Sequence, residues 1–473
     1  MLSKRELEKI INTALAEGAE FADIFLERKV TTNISCEDNK IERVNSGIDA
    51  GAGVRVINGE TTSYAYTNNL TIDGLIEVAN IASRAAKGTK KIRDIAINKR
   101  VPEFDFNIKL PPNEVSVEDK VKQVEIANTA ARNIDNRIKQ VSIGYGDVIQ
   151  DVVIANSEGV FVEDKRIRTR LNVNVIAVSG EQIQTGYESL GGTQGFEILS
   201  KNSAEEVAEK AGKRAVMLLN AQPAPAGKMA VVMAAEAGGT MVHEACGHGL
   251  EADLVQKKIS VYAGKKGQKV ATPNVTVVDD AVLTGKYGSF RFDDEGSRAR
   301  KKVLIKDGIL QEYMYDHLTA KKEQRESTGN GRRESYRDKP IPRMTNTLIN
   351  PGKDNPAQII KDTPCGLMVK KMGGGQVNTT NGDFVFDVAE GYLIEDGEVT
   401  KPVRGATLTG NGPSVLKMVD RVGNDLGFAI GICGKEGQGV PVSDAQPTMR
   451  IKELIVGGRV HSGSKGNQQI RRL

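Results

Sequence analysis

The chain has 473 residues, 39% of them hydrophobic and 27% charged. That mixture suits a folded protein rather than a disordered one, and the length calls for two or three domains. Net charge is +4, from 65 basic and 61 acidic residues, and aromatics are 4% with no tryptophan; this argues against nucleic acid as the main partner, since neither a basic face nor a set of stacking rings is supplied.

The N-terminal stretch Met1–Lys9 carries basic residues with no apolar core behind them, so it does not read as a secretory signal. Ser3 and Glu6 make a capping-box pattern, Leu7, Ile10, Ile11, Ala14 and Leu15 form one apolar stripe, and Gly18 supplies a stop. Strands are expected at Asp23–Val30, Ile41–Val44 and Val54–Ile57, and Asn58-Gly59 turns the last into Thr61–Tyr66. A second helix fits Ile72–Lys87 before Gly88. A third starts near Ser116, with Asp119 three residues on, and runs to about Ile134. Strands resume at Val141–Ile154 and Val160–Val178, with a turn at Asn156–Gly159. Ser203 and Glu206 repeat the capping-box pattern before a helix to about Leu219. The repeated order of helix, hairpins and helix hints at an internal duplication. It predicts an α+β domain over residues 1–220, with antiparallel sheets and helices on one side.

Ala221-Gln-Pro-Ala-Pro-Ala-Gly227 reads as a linker, because its prolines disfavour both helix and sheet. Residues 228–473 then read as a β-rich domain carrying one central helix. Strand-like runs occur at Met229–Met233, Val275–Val278, Val303–Ile305, Leu367–Lys370, Phe384–Val388, Gly391–Ile394 and Ile451–Val456, and the helix-competent segment is Ala234–Val255. Gly373-Gly-Gly375 and Gly410-Asn-Gly412 are expected to be turns, and the basic tail Ser464–Leu473 to be loose. No run approaches 18 apolar residues, so no transmembrane helix is expected. Cys36, Cys246, Cys365 and Cys433 are widely scattered, which disfavours a disulfide framework and favours a reducing cytoplasm.

The segment that carries chemistry is His243-Glu-Ala-Cys-Gly-His-Gly-Leu-Glu251. The chain has only four histidines, and two lie here beside a glutamate. Neutral imidazole binds zinc, and an adjacent glutamate can move a proton between water and a leaving amine, as in H-E-x-x-H peptidases. Here the spacing is H-E-x-x-x-H. On a regular helix, five residues put the two rings ~140° apart. A π-type bulge, or a break at Gly247 or Gly249, must bring them together. The bland alternative is a pair of surface histidines. A third ligand is needed, and spacing leaves Glu251, Cys246 and Cys433 open.

The chain resembles the TldD/PmbA peptidases, in particular the TldD branch. The resemblance rests on His243–Glu251, on Ser327-Thr-Gly-Asn-Gly-Arg-Arg-Glu-Ser-Tyr336 with Pro342–Asn346, on Gly373–Gly375 with Gly382–Phe384, on Gly410–Pro413, and on Cys433–Gln438 with Pro441-Val442 and Gln446-Pro447. It implies zinc held by His243, His248 and Cys433, with Glu244 as general base. It also implies cleavage of peptides or unfolded chains at a site near a subunit interface, in a dimer with a PmbA/TldE-type paralogue or with itself. No membrane or nucleic-acid partner is implied.

Other clusters take plainer readings. Arg332, Arg333, Arg337 and Arg343 could clamp a carboxylate, but ion pairs with Glu326, Glu334 and Asp338 are favoured. Asp293-Asp-Glu295 reads as a solvated acidic turn rather than a second metal site. His317 and His461 have no ligand-like neighbours, and Gly410-Asn-Gly412 lacks the context of a phosphate loop. Two other functions compete: a non-catalytic zinc protein with a closed four-ligand site, and a redox sensor using Cys246 and Cys433.

Overall fold

The computed structural model describes residues 2–89, 95–200 and 203–458. The chain is α+β, as its pattern predicts. The first half holds the same arrangement twice. Helix α1 (Lys4–Ala14), strands β1 (Phe21–Glu37), β2 (Lys40–Asn58) and β3 (Thr61–Thr67), and helix α2 (Ile72–Ala85) form the first unit. Helix α3 (Val117–Arg132), strands β4 (Ile138–Asn156), β5 (Val160–Ser179) and β6 (Gln182–Gly192), and helix α4 (Ser203–Leu219) form the second. Their strands share one sheet in the order β3-β2-β1-β4-β5-β6, antiparallel throughout, and Asn98–Lys99 adds a short parallel pairing to β5.

Local chemistry explains the helix ends. The Ser3 hydroxyl accepts the Glu6 amide while Glu6 accepts the Ser3 amide, and Ser116 caps α3 through the Asp119 amide. Ser203 departs from expectation. It is the first residue of α4, and its hydroxyl donates to the Ser200 carbonyl. The strands differ too. The three short runs expected between 23 and 57 are parts of two long strands, because β1 and β2 continue as a hairpin arm whose residues 42–48 are exposed. Hydrophobic alternation fades there, so pattern alone cut the strands short.

In the second half, β7 (Gly227–Met233), β11 (Cys365–Val377), β12 (Asp383–Glu395), β13 (Thr407–Asn411) and β16 (Met449–Gly457) close into a ring, β11-β7-β16-β13-β12, with β12 pairing back to β11. Val231, Met233, Leu367, Val369, Phe384, Phe386, Leu408 and Ile451 fill its interior. Gly373–Gly375 lies within β11 and is not a turn. A Cβ on Gly375 would come within 1.9 Å of the Phe386 ring, so glycine lets the strand pass that side chain.

A second sheet combines Ile309–Leu310 with β9 (Lys301–Lys306), β8 (Val277–Asp280), β10 (Asn346–Ile349), β15 (Gln438–Gln446) and β14 (Gly427–Lys435), in that order. β14 is its outer strand, pairing antiparallel with β15 alone among the described residues.

The Asp293–Glu295 turn, expected to be solvated, is buried between the two halves. Arg55 of β2 pairs with Asp23 of β1 and, at 2.8 Å, with Glu295; Arg166 of β5 pairs with Asp294. The acids are there because basic residues of the N-terminal sheet meet them. Among the described residues no helix is long and apolar enough to cross a membrane.

Candidate metal centre

The segment after β7 is not one helix. Thr240–Val242 is α-helical, His243–Gly247 forms a π-type turn, His248–Leu250 is 3-10, and a short α-helix resumes at Ala252–Gln256. The His248 amide bonds to the His243 carbonyl, five residues back. That wider turn brings both imidazoles to one side, with ring centroids 4.9 Å apart and planes at 84°. The segment packs on the ring of strands, and Gly412 permits it: a Cβ there would meet the Ala245 carbonyl oxygen at 2.2 Å.

Cys433, on β14, faces these rings, with Sγ 3.5 Å from Nε2 of His248. One ligand atom from each of His243, His248 and Cys433 lies within 4.8 Å of the others. Of the three candidates open for the third position, Cys433 is the one brought to the histidines. Cys246 points into the core, with Sγ 3.4 Å from the Val242 carbonyl oxygen. Glu251 lies behind His248, 3.1 Å from Nδ1.

Each imidazole has a carboxylate at its Nδ1. Asp444 of β15 lies 2.8 Å from His243 Nδ1 and Glu251 serves His248. A carboxylate at Nδ1 keeps a proton there, so Nε2 is the nitrogen that would offer its lone pair to a metal. Glu251 is fully buried, and Lys435 Nζ lies 3.1 Å from it and 2.6 Å from Asp253. Burial disfavours the Glu251 charge, but Lys435 and His248 outweigh it and hold the carboxyl at about 2.

Burial likewise disfavours charge on the two histidines. Asp444 outweighs it at His243, and Glu251 raises His248 to about 9. Cys433 moves the other way: burial opposes the thiolate, yet His243 and then His248 bring the thiol down to about 5. Two oriented imidazoles, a thiolate and a carboxylate behind each ring are a donor set that suits zinc. Glu244 belongs to the same turn and is partly buried; burial pushes its carboxyl up, against the pull of His243 and His248.

The remaining sequence candidates lie elsewhere. His317 stacks on Phe21 at 4.0 Å, and His461 is outside the described residues. The four arginines do not pair with Glu326, Glu334 or Asp338 as expected. Arg337 pairs with Asp49, and Arg343 donates to the carbonyls of Gln438 and Cys433. Arg333 donates to the Asp294 carbonyl and the Tyr64 hydroxyl, and Arg332 to the carbonyls of Met344 and Pro441. Asp444 carries no local signal in the sequence, because it lies 201 residues from His243 and no spacing connects them.

Family models for the PmbA/TldA metallopeptidases match three stretches: domain 1 over residues 22–86, the central domain over 110–219 and the C-terminal domain over 226–458. A metalloprotease TldD homolog of Haemophilus influenzae is 37% identical over 466 residues, covering 97% of each chain. A zinc metalloprotease TldD homolog of Saccharolobus solfataricus is 28% identical, over 96% of this chain and all of its own. The crystal structure of TldE from Thermococcus kodakarensis shares the fold with a TM-score of 0.73 at 20% identity, over 96% of this chain and 100% of that one.

Proposed function

The chain belongs to the PmbA/TldD metallopeptidase family, and from that premise we propose that it is a zinc-dependent peptidase acting on peptides or unfolded polypeptides. His243, His248 and Cys433 would hold the metal, with Glu244 as the proton-transferring group. The observation that carries this reading is the three-donor group itself. Among the described residues it has three members and no fourth, as a catalytic site with one position for water requires. A closed structural site would need Cys246 or Glu251, and both are turned to other partners.

Zinc bound there would acidify a water and polarise the peptide carbonyl. Glu244 takes the proton from the attacking water and passes it to the leaving amine. Its raised carboxyl pKa suits a base that must also return the proton. Asp444 and Glu251 keep the imidazoles aimed. The Cys433 thiolate gives more charge to the metal than a third imidazole would, which favours modest turnover.

The substrate is held through its backbone, as a strand added to the outer edge of β14, the strand that carries Cys433. Such backbone pairing recognises an extended conformation and so suits unfolded chains. The protein pairs with a TldE-type paralogue or with itself in a reducing cytoplasm, a setting that fits its four free cysteines. The test is Glu244→Gln: zinc content should stay near that of the wild type while cleavage of an unfolded protein such as reduced casein falls at least ~100-fold. Undiminished cleavage would remove Glu244 from the mechanism.

A further inference from the structure

A cavity of about 350 Å³ lies between the N-terminal sheet and the β14–β15 hairpin. Arg166, Arg168 and Arg170 of β5 line it, with Arg332 and, from the hairpin, Ile432 and Pro441. Arg166 is paired with Asp164 and Asp294. Arg168 and Arg332 are different. They are 5% and 3% exposed, yet neither has an ion-pair partner among the described residues.

Their hydrogen bonds go to neutral carbonyls. Arg168 donates Nε to Tyr287 at 3.0 Å and Nη2 to Ser289 at 3.3 Å. Arg332 donates Nη1 to Met344 at 2.5 Å and Nη2 to Pro441 at 2.7 Å. These contacts orient the guanidiniums without cancelling their charge. Burial, reinforced by a neighbouring arginine in each case, pushes Arg168 down to about 10 and Arg332 to about 9. The acids on the same wall have partners of their own: Asp294, whose field offsets only part of the two charges, pairs with Arg166, Asp147 with Lys120, and Glu334 accepts the Gly439 amide. A buried cation that lacks a counter-charge is costly, and an incoming carboxylate relieves that cost.

The cavity has a fixed relation to the metal centre. Ile432 pairs with Pro441 across the hairpin, and Cys433 with Val440. Successive side chains of a strand take opposite faces. Ile432 and Pro441 line the cavity, while Cys433, one residue on, faces His248. The arginine cavity and the three-donor group therefore lie on opposite faces of one strand. A peptide laid along β14 alternates in the same way, so residues next to those facing the donor group face the cavity.

We propose that Arg168 and Arg332 form a carboxylate subsite that selects peptides with an acidic residue on the cavity side of β14. This specificity rests on the reading of β14 as the peptide-binding edge. The test uses the full-length zinc-loaded protein and uncharged peptides of equal length, in which one glutamate, or a matched glutamine, is moved a position at a time. Each peptide is made with a free and with an amidated C-terminus.

The expected result is a kcat/KM at least ~10-fold higher for glutamate than for glutamine, at positions of one parity relative to the cleaved bond. That ratio should collapse toward one in Arg168→Gln and Arg332→Gln and be partly kept in Arg168→Lys. Zinc content and thermal melting would show that each variant is folded. A preference that follows the free C-terminus instead would still support the subsite and would identify its carboxylate as the chain end. Equal cleavage of both series, or a ratio untouched by both arginine variants, would overturn the subsite while leaving the peptidase intact. Cleavage of neither series by the zinc-loaded wild type would overturn the peptidase reading, and the subsite with it.

Discussion

Asp444 Oδ1 lies 2.8 Å from Nδ1 of His243, across 201 residues of sequence. This contact joins the π-type turn after β7 to strand β15, the hairpin partner of the strand that carries Cys433, so one hydrogen bond links the two parts of the candidate metal centre. Replacing Asp444 by Asn, which can still accept a bond but carries no charge, should weaken zinc affinity about 10–100-fold. Competition with a chromogenic chelator reads this directly. Unchanged affinity would make Asp444 a packing residue.

The two cysteines nearest the centre should behave oppositely. Cys433→Ser should lose most of its zinc, because the donor that faces the histidines is gone. Cys246→Ala should keep about one zinc per chain, since that thiol sits in the core against the Val242 carbonyl. Elemental analysis of both variants, purified alike, separates them. Zinc lost from Cys246→Ala and kept in Cys433→Ser would reverse the assignment.

Glu251 gives a pH signature. Lys435 holds its carboxyl at about 2, below the ordinary value of 4.5. A carboxyl depressed in the folded state binds fewer protons there than in the unfolded chain. Its contribution is therefore fully present above about pH 4.5 and is lost as pH falls toward 2. Urea unfolding of the zinc-free protein between pH 6 and 3 should show wild type losing stability relative to Glu251→Gln, by on the order of 1–3 kcal/mol over that range. A gap that does not change with pH would place the Glu251 charge outside the stability of the fold.

Between the halves, Arg55 is paired with Asp23 and Glu295 and all three are buried. Arg55→Met removes the cation and leaves two buried carboxylates, so destabilisation of about 3–5 kcal/mol is expected. Restoring charge balance with Asp23→Asn and Glu295→Gln in the same chain should recover much of it. Chemical denaturation of the single and triple variants measures both effects.

The sequence was most informative where chemistry is local. The Ser3 and Ser116 caps, the turn after Asn58 and the need for a bulge between His243 and His248 all follow from contacts within five residues. Legibility fell where a side chain answers to a distant partner. The acidic turn Asp293–Glu295 looks solvated in isolation and becomes buried because Arg55 and Arg166 arrive from another sheet. Gly373–Gly375 looks like a turn until Phe386 is seen against it. The β14–β15 hairpin around Cys433 was hidden by its glycines, which weaken the alternation that marks a strand. Spacing alone leaves Glu251, Cys246 and Cys433 open, and the fold sets Cys433 on the Nε2 side of His248, Glu251 behind the ring at Nδ1 and Cys246 in the core.

The most direct test is to strip metal from the protein, in whatever assembly it adopts, and to titrate zinc back while following cleavage of an unfolded polypeptide. The stripped protein should not cleave, and activity should rise linearly with added zinc and level off at about one zinc per chain. Glu244→Gln should take up the same zinc without gaining activity. Cleavage that persists after stripping, or that zinc restores equally in Glu244→Gln, would contradict this mechanism.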